Sequence, residues 1–244
     1  YAKKKGWEII GVLNNDMIGN IEGVDGVIDN RSFRIFSEPF SFNPKYANGL
    51  NMRTQGGEND GLSRQLARYV HKTVKKYMPE LNPIMIYRLD RFGRGGHHRP
   101  FNDEGFAGIR IMEAHENYIR QHNDIRNENG IDYGDVLSGV NFDYAAKLTS
   151  VNAISLASIA SSPKPPNNLK IGGIVEPSVR FRWEQPDDSS ITGYKIYWRE
   201  TTSSTWEYSK TIGLVDNYIL DGIVIDNFIF GVSSINSEGY ESLV

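Results

Sequence analysis

The stretch "ASSPKPPNN" divides the chain into two halves that do not share one folding pattern. Pro163, Pro165 and Pro166 fall within four positions, flanked by serine and asparagine. Proline fixes φ and lacks a backbone donor, so neither a helix interior nor a central strand runs through such a segment. It reads as a semi-rigid linker over residues 162–168. The 244 residues are enough for two ordinary domains, which the linker places at 1–161 and 169–244.

Before the linker, strand-like runs at 9–13, 84–88 and 108–112 alternate with helix-like ones. "LSRQLARYVHKTVKKYM" carries Leu62, Leu66, Tyr69, Val70, Val74 and Tyr77 at a period near 3.6, with a basic outer face. A second amphipathic helix is expected from about Phe142 to Ile159, with Phe142, Ala145, Leu148, Leu156 and Ile159 on one side. Strands separated by helices imply an α/β sandwich with a mixed, mostly parallel sheet and flanking helices. The opening "YAKKKGWEIIGVLNND" reads as a helix tail over Tyr1 to Lys5, a stop at Gly6, and then a strand. A domain that opens on the end of an element is expected to be part of a longer one.

After the linker the period changes to two. "SVRFRWEQP", "TGYKIYWRET", "NYILDGI" and "NFIFGVSSIN" alternate apolar and polar residues between turn residues, the pattern of an antiparallel all-β sandwich. This half resembles a fibronectin type III domain. The resemblance rests on "PPNNL", Trp183, "ITGYKIYWRE", Leu220 and "NFIFGVSSINSEGYES". It implies an immunoglobulin-like sandwich in which Trp183 and the tyrosine of the middle strand "ITGYKIYWRE" are core and Leu220 helps close the lower turn. Phe228 stands where such domains usually carry a tyrosine. Trp198 or Trp206 would serve any carbohydrate contact, so a surface or polysaccharide partner is one role for this module.

The formal net charge of -3 gives no basic face for nucleic acid. No apolar run reaches the roughly 20 residues that span a bilayer. The absence of cysteine excludes disulfides and thiolate metal ligands. Histidine is the remaining nitrogen ligand, and four of the five histidines (His97, His98, His115, His122) lie within 97–122. Two of them are adjacent in "GRGGHHRPFNDEGFAGIRIME", where glycines allow close backbone approach. In "GVLNNDMIGN" an apolar strand ends at Asp16, the sheet edge where α/β proteins gather ligands. Strand-end aspartates more often cap turns, and Asp16 by itself reads first that way.

Residues 1–160 resemble the co-catalytic zinc aminopeptidases, a family that also holds glutaminyl cyclases and glutamate carboxypeptidases. The matching motifs are "NNDMIGN", similar to the family's "L-D-M-x-G", and "GGHHRPFNDEGFAG", similar to "S-D-H-x-x-F-x-x-x-G-x-P-A". The resemblance implies that Asp16 binds one zinc and His98 another, with Phe101 three residues later fixing the register. His97 takes the place of the aspartate that usually precedes the ligand. Glu113, His115 and His122 read either as pocket lining or as ordinary surface polar groups. The family's other ligands and its general-base glutamate lie before the "NDM" strand, so none of the residues here is assigned as catalytic.

The resemblance further implies two zinc ions that polarise the scissile carbonyl and activate a bridging water, peptide or protein substrates cut at the N-terminus, and a secreted or cell-envelope (bacterial) location. A glutaminyl cyclase of the same fold, or a binding protein built on a decayed peptidase half, are the alternatives. This chain alone is expected to be inactive.

Overall fold

The computed structural model describes residues 1–40 and 59–244. They form two compact units: residues 1–40 with 59–155, and residues 156–244. The division falls inside a helix rather than in the proline segment.

The first unit is built on a four-stranded mixed sheet. Its strands are β1 (Val12–Asn15), β2 (Ser32–Ser37), β3 (Asn82–Ile86) and β4 (Gly108–Glu113), in the order β1-β4-β2-β3. β1 runs parallel to β4 and β2 parallel to β3, while β2 and β4 are antiparallel. β2 was not marked as a strand by its sequence, because "SFRIFS" is short and its arginine interrupts the apolar run. Every residue of β4 is buried, as expected for a strand covered on both faces.

Helix α1 (Leu62–Tyr77) packs against β2, β3 and β4. Leu66, Tyr69, Val70 and Val74 make its buried stripe, whereas Leu62 and Tyr77 are exposed. Its arginines are not on an outer face. Arg64 is fully buried and donates from Nε to Ser37 Oγ and from Nη2 to the Ser37 carbonyl, both at 2.8 Å. Arg68 pairs with Asp60 at 2.7 Å. Burying a charge demands such partners. A one-turn helix, α2 (Arg99–Asp103), leads from the glycine loop into β4. A small hairpin follows, β5 (Arg126–Glu128) and β6 (Ile131–Tyr133). Asn129 and Gly130 turn it with φ of 53° and 80°, the left-handed pair that two-residue hairpin loops require.

Helix α3 (Phe142–Ala160) is where the sequence expected it but turned to a different face. Tyr144, Leu148, Val151, Ser155 and Ser158 are buried, while Phe142 and Leu156 are more than half exposed. The buried residues step by four and three, the repeat that keeps one stripe inward. The Tyr144 hydroxyl decides the rotation, donating to the Ser32 carbonyl at 2.6 Å.

The second unit is a sandwich of two three-stranded sheets. One has β7 (Asn167–Gly172), β8 (Ser178–Glu184) and β11 (Asn217–Asp221). The other has β9 (Ile191–Glu200), β10 (Tyr208–Ile212) and β12 (Phe228–Asn236). All pairings are antiparallel. Val179, Phe181 and Trp183 alternate inward along β8 and meet Tyr194, Ile196, Leu220 and Val232 in one core. The rings of Trp183 and Tyr194 pack edge to face at 5.1 Å. Trp198 stacks on Tyr208 with centroids 5.6 Å apart, and Trp206 lies against Tyr197 and Arg199. Both tryptophans are half-buried. Strands β7 and β10 carry too few apolar residues to have been read from sequence, and β7 starts within the segment expected to be linker.

The rotation of α3 has a measurable consequence. Leu148→Ala should cost about 2–5 kcal/mol by leaving a core cavity. Leu156→Ala should stay within about 0.5 kcal/mol. Urea denaturation of the two variants should separate them, and equal costs would restore the face expected from sequence.

Candidate functional site

Asp16 follows β1 directly, at the end of the sheet where β4 also terminates. Its backbone N–H donates to the Ile111 carbonyl at 3.2 Å, and Glu113 N–H donates to the Met17 carbonyl at 2.9 Å. The Asp16 carboxylate is 44% exposed. It is held by Arg110 of β4, whose Nε donates to the Asp16 carbonyl at 2.6 Å and whose Nη2 lies 3.1 Å from Oδ2. The other guanidinium nitrogen, Nη1, lies 2.5 Å from Asp90 Oδ1. Arg110 and Asp90 are both buried. Neither was read from sequence. The available signal was a cation inside the apolar run "GIRIME", since a buried guanidinium requires a carboxylate.

His98 sits beyond Asp90, with Nε2 3.9 Å from Asp90 Oδ2. Its ring is fully buried. Nε2 lies 2.8 Å from the Leu89 carbonyl, which makes Nε2 the protonated nitrogen, because a carbonyl only accepts. Nδ1 then presents its lone pair toward the Asn14 amide, at 3.5 Å. Burial pushes the His98 pKa down, opposed by the Leu89 bond and Asp90, so the ring is neutral at neutral pH. A Cβ at Gly96 would come within 2.8 Å of both His98 Nδ1 and Asn14 Nδ2, so the loop can close on the ring only with glycine there.

The other histidines lie apart from this cluster. His97 is exposed, and the carboxylate nearest His98 is Asp90 instead of a residue at position 97. Phe101 is half-buried and meets Phe106 edge-on at 6.5 Å. His115 lies 3.6 Å from Asp25 and 3.8 Å from Asp29. His122 is exposed, with φ of 51°. Its neighbour Gln121 lines the same pocket as Met17, the neighbour of Asp16. Glu113 is buried beside that pocket.

The fit to zinc is partial. Among the described residues no three His, Asp or Glu side chains converge to hold a metal, and zinc sites take three or four protein ligands. Asp16 and His98 belong to one chain of contacts through Arg110 and Asp90. Arg110 holds Asp16, and Leu89 and Asn14 hold His98. These residues do not form a zinc site by themselves.

No protein-family model matches the chain. Similarity to curated proteins is extensive. The chain is 33% identical over 237 residues to a "Probable zinc metalloprotease" of Pyrenophora tritici-repentis, covering 96% of this chain and 55% of that protein. It is 35% identical over 242 residues to one of Leptosphaeria maculans, covering 98% and 56%. The chain spans about half the length of the curated relatives it matches. Solved structures that match part of it include a fibronectin type III domain of human collagen XX, at 19% identity and a TM-score of 0.29 over 34% of this chain and 85% of that one.

Glu113 gives the site a pH signature. Burial raises its pKa from 4.5 to about 7, opposed by the Asn20 N–H and by Arg34, with Glu116 adding to the rise. The folded state therefore holds this proton more tightly than the unfolded chain. The stability that follows is complete below about pH 4.5 and is lost as pH rises through about 7, on the order of 3 kcal/mol at most. Glu113→Gln should flatten this part of the profile in urea titrations at about pH 5 and about pH 8. An unchanged slope would assign it to another group.

Proposed function

We propose that this chain is part of a zinc-dependent exopeptidase that removes N-terminal residues from peptides, carrying an accessory fibronectin type III module. The observation that carries this reading is the similarity to zinc metalloproteases over 96–98% of the chain, together with the two motifs around Asp16 and His98. In this reading residues 1–161 belong to the peptidase domain, 162–168 to a linker and 169–244 to the module. Two zinc ions, a secreted or cell-envelope location and a surface or polysaccharide contact through the module belong to the same proposal.

Asp16 supplies one zinc ligand. Its carboxylate is exposed, and exchanging the Arg110 contact for a cation moves no buried backbone. The motif register names His98 as the histidine. Access favours His122, because His98 must first give up its Leu89 or Asn14 contact. Both assignments are separable in the protein encoded by the full gene. Asp16→Ala should remove zinc, read by metal analysis, and abolish hydrolysis of aminoacyl chromogenic substrates. Of His98→Ala and His122→Ala, the variant that loses one equivalent of zinc while keeping its fold identifies the ligand. Loss from neither would end the proposal that His98 or His122 binds metal. Cyclisation of N-terminal glutaminyl peptides without hydrolysis would favour the cyclase. The chain of residues 1–244 alone should bind zinc weakly and show no turnover, since its described residues bring together no three ligands.

A further inference from the structure

Beside Asp16 lies a pocket of about 120 Å³ that the zinc reading does not use, lined by Met17, Asn20, Glu113, Arg120, Asp135 and Val140 among others. Liquid water takes roughly 30 Å³ per molecule, so this volume suits a group of about four to six heavy atoms. Its walls are apolar at Met17 and Val140. Its polar chemistry is set by which charges are already engaged.

Arg120 is engaged. Its Nη1 donates to Asn20 Oδ1 and its Nη2 pairs with Glu22 Oε2, both at 2.6 Å. Glu113 is engaged only in part, its carboxyl taking the Asn20 N–H. The residue is 1% exposed and one of its oxygens, Oε2, has no hydrogen-bond partner among the described residues. A buried acceptor left open costs about 1–3 kcal/mol, more if charged. Arg34 and Arg91 approach Glu113 from β2 and from the loop after β3, yet both are bound by Glu116, at 2.9 and 2.7 Å. Tyr144 lies nearby, with its hydroxyl committed to Ser32. Asp135 is exposed and adds a second carboxylate at the pocket. The pocket thus offers open acceptors, and Arg120, the one cation among its described lining residues, is paired; Arg91, whose Nε has no partner, is not part of the lining.

We propose that this pocket binds a primary ammonium group on a short aliphatic arm, with Glu113 as its buried carboxylate partner. An anion would find its donors taken, and an uncharged alkyl group would leave Oε2 unpaired. On the peptidase reading above, the occupant is the lysine side chain of a peptide substrate. Because burial holds the Glu113 pKa at about 7, an ammonium must displace the proton, and binding tightens from about pH 6 to about pH 8.

The test is an NMR titration of the 244-residue chain with n-butylammonium chloride, with n-butanol as the uncharged control. Saturable shifts at the Asn20 and Glu113 amides are expected with the ammonium and not with the alcohol. Glu113→Gln should weaken binding at least tenfold. Val140→Phe, which fills the pocket and leaves the charges alone, should abolish it. Binding of butanol equal to that of butylammonium, an unchanged affinity in Glu113→Gln, or no saturation would overturn the proposal. Competition tests the source. Displacement by Nα-acetyl-lysine amide is expected, and displacement by Nε-acetyl-lysine amide instead would overturn the assignment to the side chain. Displacement by neither would overturn the assignment to a peptide. The titration needs neither zinc nor turnover, so it stands or falls separately from the peptidase reading.

Discussion

Arg110 is the charge around which the sheet edge of the first unit is organised. It occupies a fully buried strand, and a guanidinium there is tolerable only with carboxylates on both sides. Asp90 and Asp16 provide them. Asp90 comes from the segment after β3 and Asp16 from the end of β1, so one side chain ties together parts of the chain that are far apart in sequence. A buried ion pair of this kind contributes little net stability relative to apolar packing, but removing one partner strands a charge at a cost of about 3–5 kcal/mol. Its effect is therefore mainly on arrangement. It fixes where the Asp16 carboxylate can be and brings Asp90 within reach of His98.

The glycine loop is arranged around the same core. His98 is pinned by the Leu89 carbonyl, and Asn102, one turn later, donates to Glu38 Oε1 at 2.9 Å and to the Gly108 carbonyl at 3.1 Å. Ser63 of α1 donates to that same carbonyl at 2.6 Å. Helix, loop and the start of β4 are thus joined by polar contacts at buried positions, where each unmade bond would be costly. The motif that sequence resemblance treats as ligand-bearing is structural cement here, with His98 buried in it while His97 and His122 are open to solvent.

Much of this was legible in the residues. The change of period at the prolines separates strands interleaved with helices from strands alone, and the strands on either side fall into separate sheets. Trp183 and a middle-strand tyrosine were expected in a sandwich core, and Trp183 and Tyr194 are buried there together with Leu220, which the resemblance had placed at a turn. Less was legible where a short polar element depends on its neighbours. β2, β7 and β10 carry weak patterns of their own and become strands because adjacent strands offer them unpaired backbone groups. The rotation of α3 was missed for a similar reason, since Tyr144 and two serines outcompete Phe142 and Leu156 for the buried face.

By itself the sequence determined the period of each half, the identity of the apolar core and the residue types able to meet a metal or a substrate. These depend on local spacing and on which side chains water rejects. Only the tertiary structure decided which of those groups meet. It paired Arg110 with Asp16 and Asp90, closed His98 under the loop, and left Glu113 with an open oxygen beside a small pocket. Those outcomes are set by the desolvation of charges at positions brought together by strand order, and spacing along the chain does not encode them.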